Sequence, residues 1–182
     1  MGGFVCQSPI GMDEIMRADV DRFRKKIPQE KWLPAGLWSK TLRFMPIPCV
    51  DLIFERSDKC ILYGWRLINP YNDAWALVGG RMMRGENLLE CASRIAKEYG
   101  LSYKELFLNG VFPVNFPKRS DLVISLAARR IAGEPRVDGF EFSSFRWAKT
   151  PPKRLGTNYS RMVTKWRKAS KSSHFLELNR LL

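Results

Sequence analysis

Residues 78–101, VGGRMMRGENLLECASRIAKEYGL, decide the fold of this chain. A glycine pair followed by Arg81 is typical of a tight turn, and the residues after it predict an amphipathic helix with its apolar residues on one buried face. Its charged residues recur at steps of four, which places them in one stripe: Glu86, Glu90, Arg94 and Glu98. A strand, a glycine loop and an acid-lined helix predict a site for Mg²⁺, because this cation prefers carboxylate and carbonyl oxygens. The cation would in turn hold phosphates.

The same stretch resembles the Nudix box, G-x5-E-x7-R-E-U-x-E-E-x-G-U. Gly80, Glu86 and Arg94 match its first part at the same spacing, but residues 95–101 (IAKEYGL) are one residue short and lack most of its carboxylates. In this respect the chain is similar to the GDP-mannose mannosyl hydrolases, in which a single glutamate before the closing Gly-Leu holds the metal. The resemblance implies that Glu98 and the backbone of Gly79 bind the metal.

Three residues outside the helix extend the resemblance. Asp51 interrupts an apolar strand, where a buried carboxylate costs several kcal/mol unless it is paired; the alternative is the exposed face of an edge strand. In the mannosyl hydrolases an aspartate at this place lies near the sugar. Arg66 closes an L-x-G-x-R pattern of that group, and Arg81 matches an arginine after the glycines; both would bind the diphosphate and neutralise the departing nucleotide. Residues 38–51 (WSKTLRFMPIPCVD) are similar to the same group.

The segment 141–147, EFSSFRW, departs from the group where its chemistry lies. The resemblance places Glu141 on a metal-ligand glutamine and Phe142 on the histidine that acts as general base. Phenylalanine cannot accept a proton, and general-base catalysis contributes about 10²- to 10⁴-fold. Either Glu141 takes the proton through a water, or the alignment shifts here, or the chain has little mannosyl hydrolase activity. Leu122 replaces a family tyrosine, and His174 lies in the basic tail.

Composition indicates a folded domain with a basic surface. The 182 residues are 45% hydrophobic and 12% aromatic, enough for one domain with a substantial core. The net charge of +13 attracts polyanions, either nucleotides or nucleic acid, and a solvated basic surface on a nucleotide enzyme is the preferred interpretation. The four cysteines show no metal-binding or disulfide pattern, so we expect reduced, mostly buried thiols. Without a membrane span or signal peptide, a cytoplasmic location is expected.

The order of elements predicts an α/β fold. Residues 1–34 form a leader with a helix at 12–26, residues 35–170 the domain and residues 171–182 a basic tail. Within the domain, periodicity predicts a short helix at 35–44, strands at 48–55, 59–66, 107–114, 122–131 and 143–147, and a late helix at 159–169. A polar loop is expected between the strands at 107–114 and 122–131. This order fits the Nudix α/β/α sandwich around a mixed β-sheet, with the box as its loop-helix-loop.

These features together predict a Mg²⁺-dependent hydrolase of a nucleoside diphosphate sugar, with Mn²⁺ as an alternative cation. The resemblance implies attack of water at the anomeric carbon of GDP-mannose, which releases GDP and mannose, with Asp51, Arg66, Arg81 and Glu141 as catalytic residues and Gly79, Glu98 and Glu141 around the metal. Two alternatives stay open: a Nudix pyrophosphatase that cleaves at phosphorus, and a catalytically weak Nudix domain that binds nucleic acid. A homodimer is expected.

Overall fold

The computed structural model describes residues 34–170 and Leu178. The helix predicted at 12–26, His174 and the rest of the tail lie outside the described residues. The chain divides after Thr41 into two units, and the first is described only from Pro34 onwards. The helix predicted at 35–44 is confirmed as α1 (Ala35–Phe44).

The described part of the second unit contains strands of very different lengths. They are β1 (Ile47–Phe54), β2 (Ile61–Arg66), β3 (Ala74–Ala76), β4 (Val78–Arg81), β5 (Leu101–Ser102), β6 (Glu105–Phe116), β7 (Arg119–Arg129), β8 (Ala132–Gly133) and β9 (Phe142–Ala148). The described residues of this unit also form the helices α2 (Leu88–Glu98) and α3 (Thr157–Ala169). Among the described residues, no helix combines the length and the apolar character needed to cross a membrane.

A four-stranded mixed sheet with the order β4-β1-β7-β6 forms the centre. Its middle pair, β1 and β7, is parallel, and the outer pairs are antiparallel. Strands β3, β2 and β9 form a separate antiparallel sheet, and β5 pairs with β8. The middle strand β1 is almost entirely buried, which explains its near-continuous apolar sequence. The prediction of an α/β fold with a mixed sheet is confirmed.

The alternation of side chains along β1 sorts its residues between the two faces of the central sheet. Val50 lies opposite Gly80 of β4, and a Cβ on Gly80 would lie 3.3 Å from the side chain of Ile95, so this face packs on α2. Asp51 lies opposite Gly79 and therefore points to the other face. Helix α3 packs against β6. There the side-chain amide of Asn109, on β6, donates to the backbone carbonyl of Met162, on α3.

Two local predictions were wrong. Glu86 precedes α2 rather than lying on it, because Asn87 is the N-cap and forms a capping box with Glu90, so the expected stripe loses its first member. The polar loop expected between β6 and β7 is a hairpin, in which pairing runs out to Phe116 and Arg119 and leaves Pro117 and Lys118 at the tip. Cross-strand pairing thus overrides the loop-like composition of this segment.

Candidate active site

Asp51 is the buried carboxylate at the centre of the site. It is 8% exposed and lies between Gly79 of β4 and Ser125 of β7. A Cβ on Gly79 would lie 2.0 Å from Oδ1 of Asp51, so the aspartate requires a glycine beside it. Burial raises the pKa of Asp51 to about 7; the charge of Arg66 lowers it, and the charges of Asp121 and Glu141 raise it further.

Glu141 and Arg66 form an ion pair beside Asp51. Nη1 of Arg66 donates to Oε1 of Glu141, and both side chains are largely buried. Nε of Arg66 donates to the carbonyl of Ile68 at 3.1 Å, and the hydroxyl of Tyr99 donates to Oε2 of Glu141 at 3.2 Å. Both oxygens of Glu141 therefore accept a hydrogen bond, and further lone pairs remain for another ligand.

Phe142 occupies the same region as Glu141, although neighbouring residues of a regular strand point to opposite faces. Phe142 is fully buried, and its ring centroid lies 5.8 Å from Cζ of Arg66. Strand alternation does not apply here because Glu141 precedes β9; the amides of both residues donate to one carboxylate oxygen of Asp138. A Cβ on Gly64 would lie 2.4 Å from the Phe142 ring, so the glycine of the L-x-G-x-R pattern makes room for that ring.

Arg81 extends the site along β4. It lies opposite Cys49, two residues from Asp51, so its side chain shares the face of Asp51. Burial lowers the pKa of Arg81 to about 10, and the nearby charge of Arg119 lowers it as well. The guanidinium stays charged at neutral pH. Burial also raises the pKa of the Cys49 thiol to about 12, so this thiol is protonated.

The acids of the box are engaged in different ways. Oε1 of Glu86 accepts from Nε of Arg94 at 2.6 Å, and Oε2 accepts from the amide of Met83 at 2.9 Å. Nη2 of Arg94 also donates to the carbonyl of Arg81 at 2.8 Å, which fixes the turn to the helix. Arg94 also pairs with Glu98 at 3.2 Å, whereas Oε2 of Glu90 accepts from the amide of the N-cap residue Asn87. Of the two glutamates that pair with Arg94, Glu98 is the more exposed, with 45% of its side chain accessible against 9% for Glu86.

The oxygens predicted to bind a metal suit a hard divalent cation in their chemistry. Carboxylates of Glu98 and Glu141 and the carbonyl of Gly79 are the ligand types that Mg²⁺ and Mn²⁺ take. Burial raises the pKa of Asp51, and the charges of Asp121 and Glu141 raise it further, so a cation beside these carboxylates would favour their charged forms. Within residues 34–170, however, no three acidic, thiol or imidazole side chains converge to hold an ion by themselves. A cation would therefore complete its shell with backbone oxygens and substrate phosphates.

Three residues of the site were not predicted from the sequence. Tyr99 donates to Glu141, and Tyr159 on α3 is buried within electrostatic reach of Arg66, Asp51 and Glu141. Burial, the largest influence, raises the pKa of each phenol, so both remain neutral donors. The third, Asp121, lies on the face of Asp51, whereas Leu122 points to the opposite face. Alternation along β7 was the signal that could have identified Asp121.

Comparison with solved structures identifies the fold. A MutT NUDIX hydrolase from Burkholderia pseudomallei superposes with a TM-score of 0.62 at 19% identity over 66% of this chain and 98% of that one. A NUDIX hydrolase from Nitrosomonas europaea gives 0.60 at 16% identity over 76% and 97%. The NUDIX domain of Shewanella oneidensis NrtR, complexed with ADP ribose, gives 0.59 at 13% identity over 82% and 97%.

This chain has the Nudix fold. No family model and no curated protein matches its sequence. At these identities the comparisons establish the fold alone.

Proposed function

We propose that this Nudix-fold chain hydrolyses a nucleoside diphosphate sugar, GDP-mannose in the first instance, by attack of water at the anomeric carbon. One observation carries the proposal. The glutamates of the box bind residues of the box itself, whereas Arg66, Asp121 and Glu141 lie close enough to Asp51 for their charges to act on it. Glu86 is bound by Arg94, Glu90 caps α2, and Glu98 pairs with Arg94 at the surface, where 45% of its side chain is accessible. Attack of water at phosphorus, when several metal ions assist it, relies on a row of free carboxylates to bind those ions. Helix α2 does not offer such a row.

The arginines of the site suit a diphosphate. Arg66 and Arg81 lie next to Asp51, and their charges stabilise the negative charge that develops on the departing nucleoside diphosphate. Arg66 keeps donors beyond the one that Glu141 accepts, because a guanidinium carries five N–H groups. The ion pair therefore orients Arg66 without consuming it.

Asp51 is the carboxylate best suited to accept the proton of the attacking water. Its pKa of about 7 lies near the operating pH, where a general base is most effective. Glu141 is less suited, because Arg66 and Tyr99 already donate to its two oxygens. In this proposal Asp51 takes the role that Phe142 cannot fill, and Glu141 positions Arg66 and contacts the metal.

A Mg²⁺ or Mn²⁺ ion bound by Gly79, Glu98 and Glu141 would supply charge neutralisation on the diphosphate. The remaining steps belong to the chain itself: the arginines bind the phosphates, Asp51 holds the proton, and the rings of Phe142 and Phe145, 5.3 Å apart, exclude water beside the site.

Product analysis tests this proposal. Incubation of the purified full chain with GDP-mannose and Mg²⁺ should yield GDP and mannose, resolved by anion-exchange chromatography. Appearance of GMP and mannose 1-phosphate would contradict attack at carbon. Phosphoanhydride cleavage is the second candidate, and the ADP ribose bound by the NUDIX domain from Shewanella oneidensis indicates a substrate to test for it. ADP-ribose therefore serves as the parallel substrate, and AMP is the product that would favour that candidate.

A further inference from the structure

Arg119 and Asp121 form an ion pair at the start of β7 that the proposed reaction leaves unused. Nη2 of Arg119 donates to Oδ2 of Asp121 at 2.8 Å, and the side chains are only 17% and 7% exposed. Ser125 lies beside Asp51 in the sheet register, and residues 123, 121 and 119 follow at steps of two. The pair therefore lies on the same face as Asp51, displaced toward the tip of the β6–β7 hairpin.

This ion pair is incompletely satisfied. Nε of Arg119 and Oδ1 of Asp121 are both buried, and neither has a hydrogen-bond partner among the described residues. A buried polar atom without a partner costs about 1–3 kcal/mol, and more where the group is charged. Native structures keep few such atoms, and a site for a ligand or ion is one reason why they persist. An anion bound in the working state of the protein would give Nε of Arg119 a hydrogen-bond partner.

Arg119 and Arg81 are close enough for each to act on the charge of the other. After burial, the charge of Arg119 is the largest influence that lowers the pKa of Arg81. Asp121 is close to both guanidinium groups, because both act on its pKa. The ring of Phe116 lies 5.1 Å from Cζ of Arg119 and holds that guanidinium against the sheet. Two arginines held together in this way create a local field that attracts an anion.

We propose that Arg119 and Arg81 form a second anion subsite, which binds the phosphate carrying the nucleoside while Arg66 binds the phosphate next to the sugar. A diphosphate would then span the face from Arg66 to Arg119, and a monophosphate would fill only one half. In the free protein Asp121 acts as an internal anion that competes for Arg119. The identity of the nucleotide rests on the proposed function; the subsite itself rests on the two arginines and the unsatisfied pair.

Isothermal titration with inorganic pyrophosphate and with inorganic phosphate tests the subsite. Wild-type protein should bind pyrophosphate more tightly than phosphate. Arg119→Gln should weaken pyrophosphate binding about ten- to hundredfold, the range expected for lost hydrogen bonds to a charged group, and should affect phosphate much less. Asp121→Asn should have the opposite effect and tighten pyrophosphate binding, because it removes the competing carboxylate.

The opposite signs separate a binding role from a structural one. If the pair only stabilises the hairpin, both variants lower the melting temperature and neither changes the ratio of pyrophosphate to phosphate affinity; that result overturns the proposal. Lys118→Gln, the same loss of charge at the exposed neighbouring position, should leave the ratio unchanged. Should Arg119→Gln fail to fold, Asp121→Asn decides alone. Absence of nucleotide-sugar hydrolysis in wild type would remove the proposed function but not this binding result.

Discussion

Asp51 is a carboxylate in a position where a carboxylate is costly to bury. It is 8% exposed, and its pKa of about 7 lies above the ordinary value of 3.8, mainly because of burial. The protonated form is thus favoured in the folded protein relative to the unfolded chain. The stabilisation is fully present below the unfolded pKa, and it is lost as pH rises through the folded pKa of about 7.

Asp51→Asn should therefore stabilise the fold while it abolishes activity. In EDTA and without nucleotide, we expect the variant to melt above wild type at about pH 8, and the difference to shrink toward about pH 4. The gain is at most a few kcal/mol, because one pKa unit corresponds to about 1.4 kcal/mol. Thermal unfolding followed by circular dichroism across this pH range is the measurement.

Asp58→Asn is the matched control with the opposite sign. The pKa of Asp58 is lowered, chiefly by the backbone amide of Cys60, so its contribution is present above the unfolded pKa and lost as pH falls. A melting temperature of Asp51→Asn that follows wild type at every pH would mean that Asp51 is not buried in ionisable form.

Glu98 and Glu90 lie on one helix but have different roles. Glu98→Gln should lower Mg²⁺-dependent turnover about tenfold or more and weaken Mg²⁺ binding, because an amide is a poorer ligand than a carboxylate. The fold should persist, since its partly exposed pair with Arg94 contributes little. Glu90→Gln should leave turnover unchanged, because glutamine also completes a capping box. Steady-state kinetics over a Mg²⁺ titration compares the two; equal losses would argue for multi-metal chemistry at phosphorus.

At the scale of elements, the turn between β4 and α2 is held by one arginine. Arg94 binds Glu86, Glu98 and the carbonyl of Arg81, and the Glu86 side chain is only 9% exposed. The box motif thus has two parts: Glu86 and Arg94 shape the turn, and Glu98 pairs with Arg94 while 45% of its side chain stays accessible. Their regular spacing in the sequence gives no sign of this division.

Arg94→Gln should lower the free energy of unfolding by about 2–4 kcal/mol, because it leaves a mostly buried carboxylate without its charged partner. Adding Glu86→Gln in the same chain should recover part of that loss. Urea unfolding of the single and double variants provides the measurement. Arg56→Gln, which breaks the exposed pair with Asp58, is the control and should cost less than about 1 kcal/mol. Additive losses in the double variant would show that the two side chains are not coupled.

Across the whole molecule, the sequence predicted those features that depend on local patterns, namely the helices and the main strands. Strand alternation, helical periodicity and capping residues are local, so α2, α3 and the main strands lie where they were expected. The burial of Asp51 was also predicted, because the apolar residues on both sides of it in the strand are buried in the core. Contacts between distant segments were not predicted: Arg66 with Glu141, Tyr99 with Glu141, and the reach of Tyr159 into the site depend on the pairing of β2 with β9 and on the packing of the two helices.

The placement of Glu141 and Phe142 shows the same limit. Alternation places neighbouring side chains on opposite faces only inside a strand. Because β9 begins at Phe142, Glu141 lies just before it and the alternation does not apply to this pair. The Asp138 carboxylate that turns the backbone there accepts from amides up to four residues away, a local contact that composition does not reveal. The predicted homodimer and cytoplasmic location remain predictions.

Hydrolysis in ¹⁸O-labelled water shows whether water attacks the anomeric carbon or a phosphorus atom. The full chain is incubated with GDP-mannose and Mg²⁺ in labelled water, and the products are separated and analysed by mass spectrometry. Attack at the anomeric carbon predicts one ¹⁸O atom in the free mannose and none in GDP. Label in a phosphate of either product would contradict the account and assign the chain to cleavage at phosphorus.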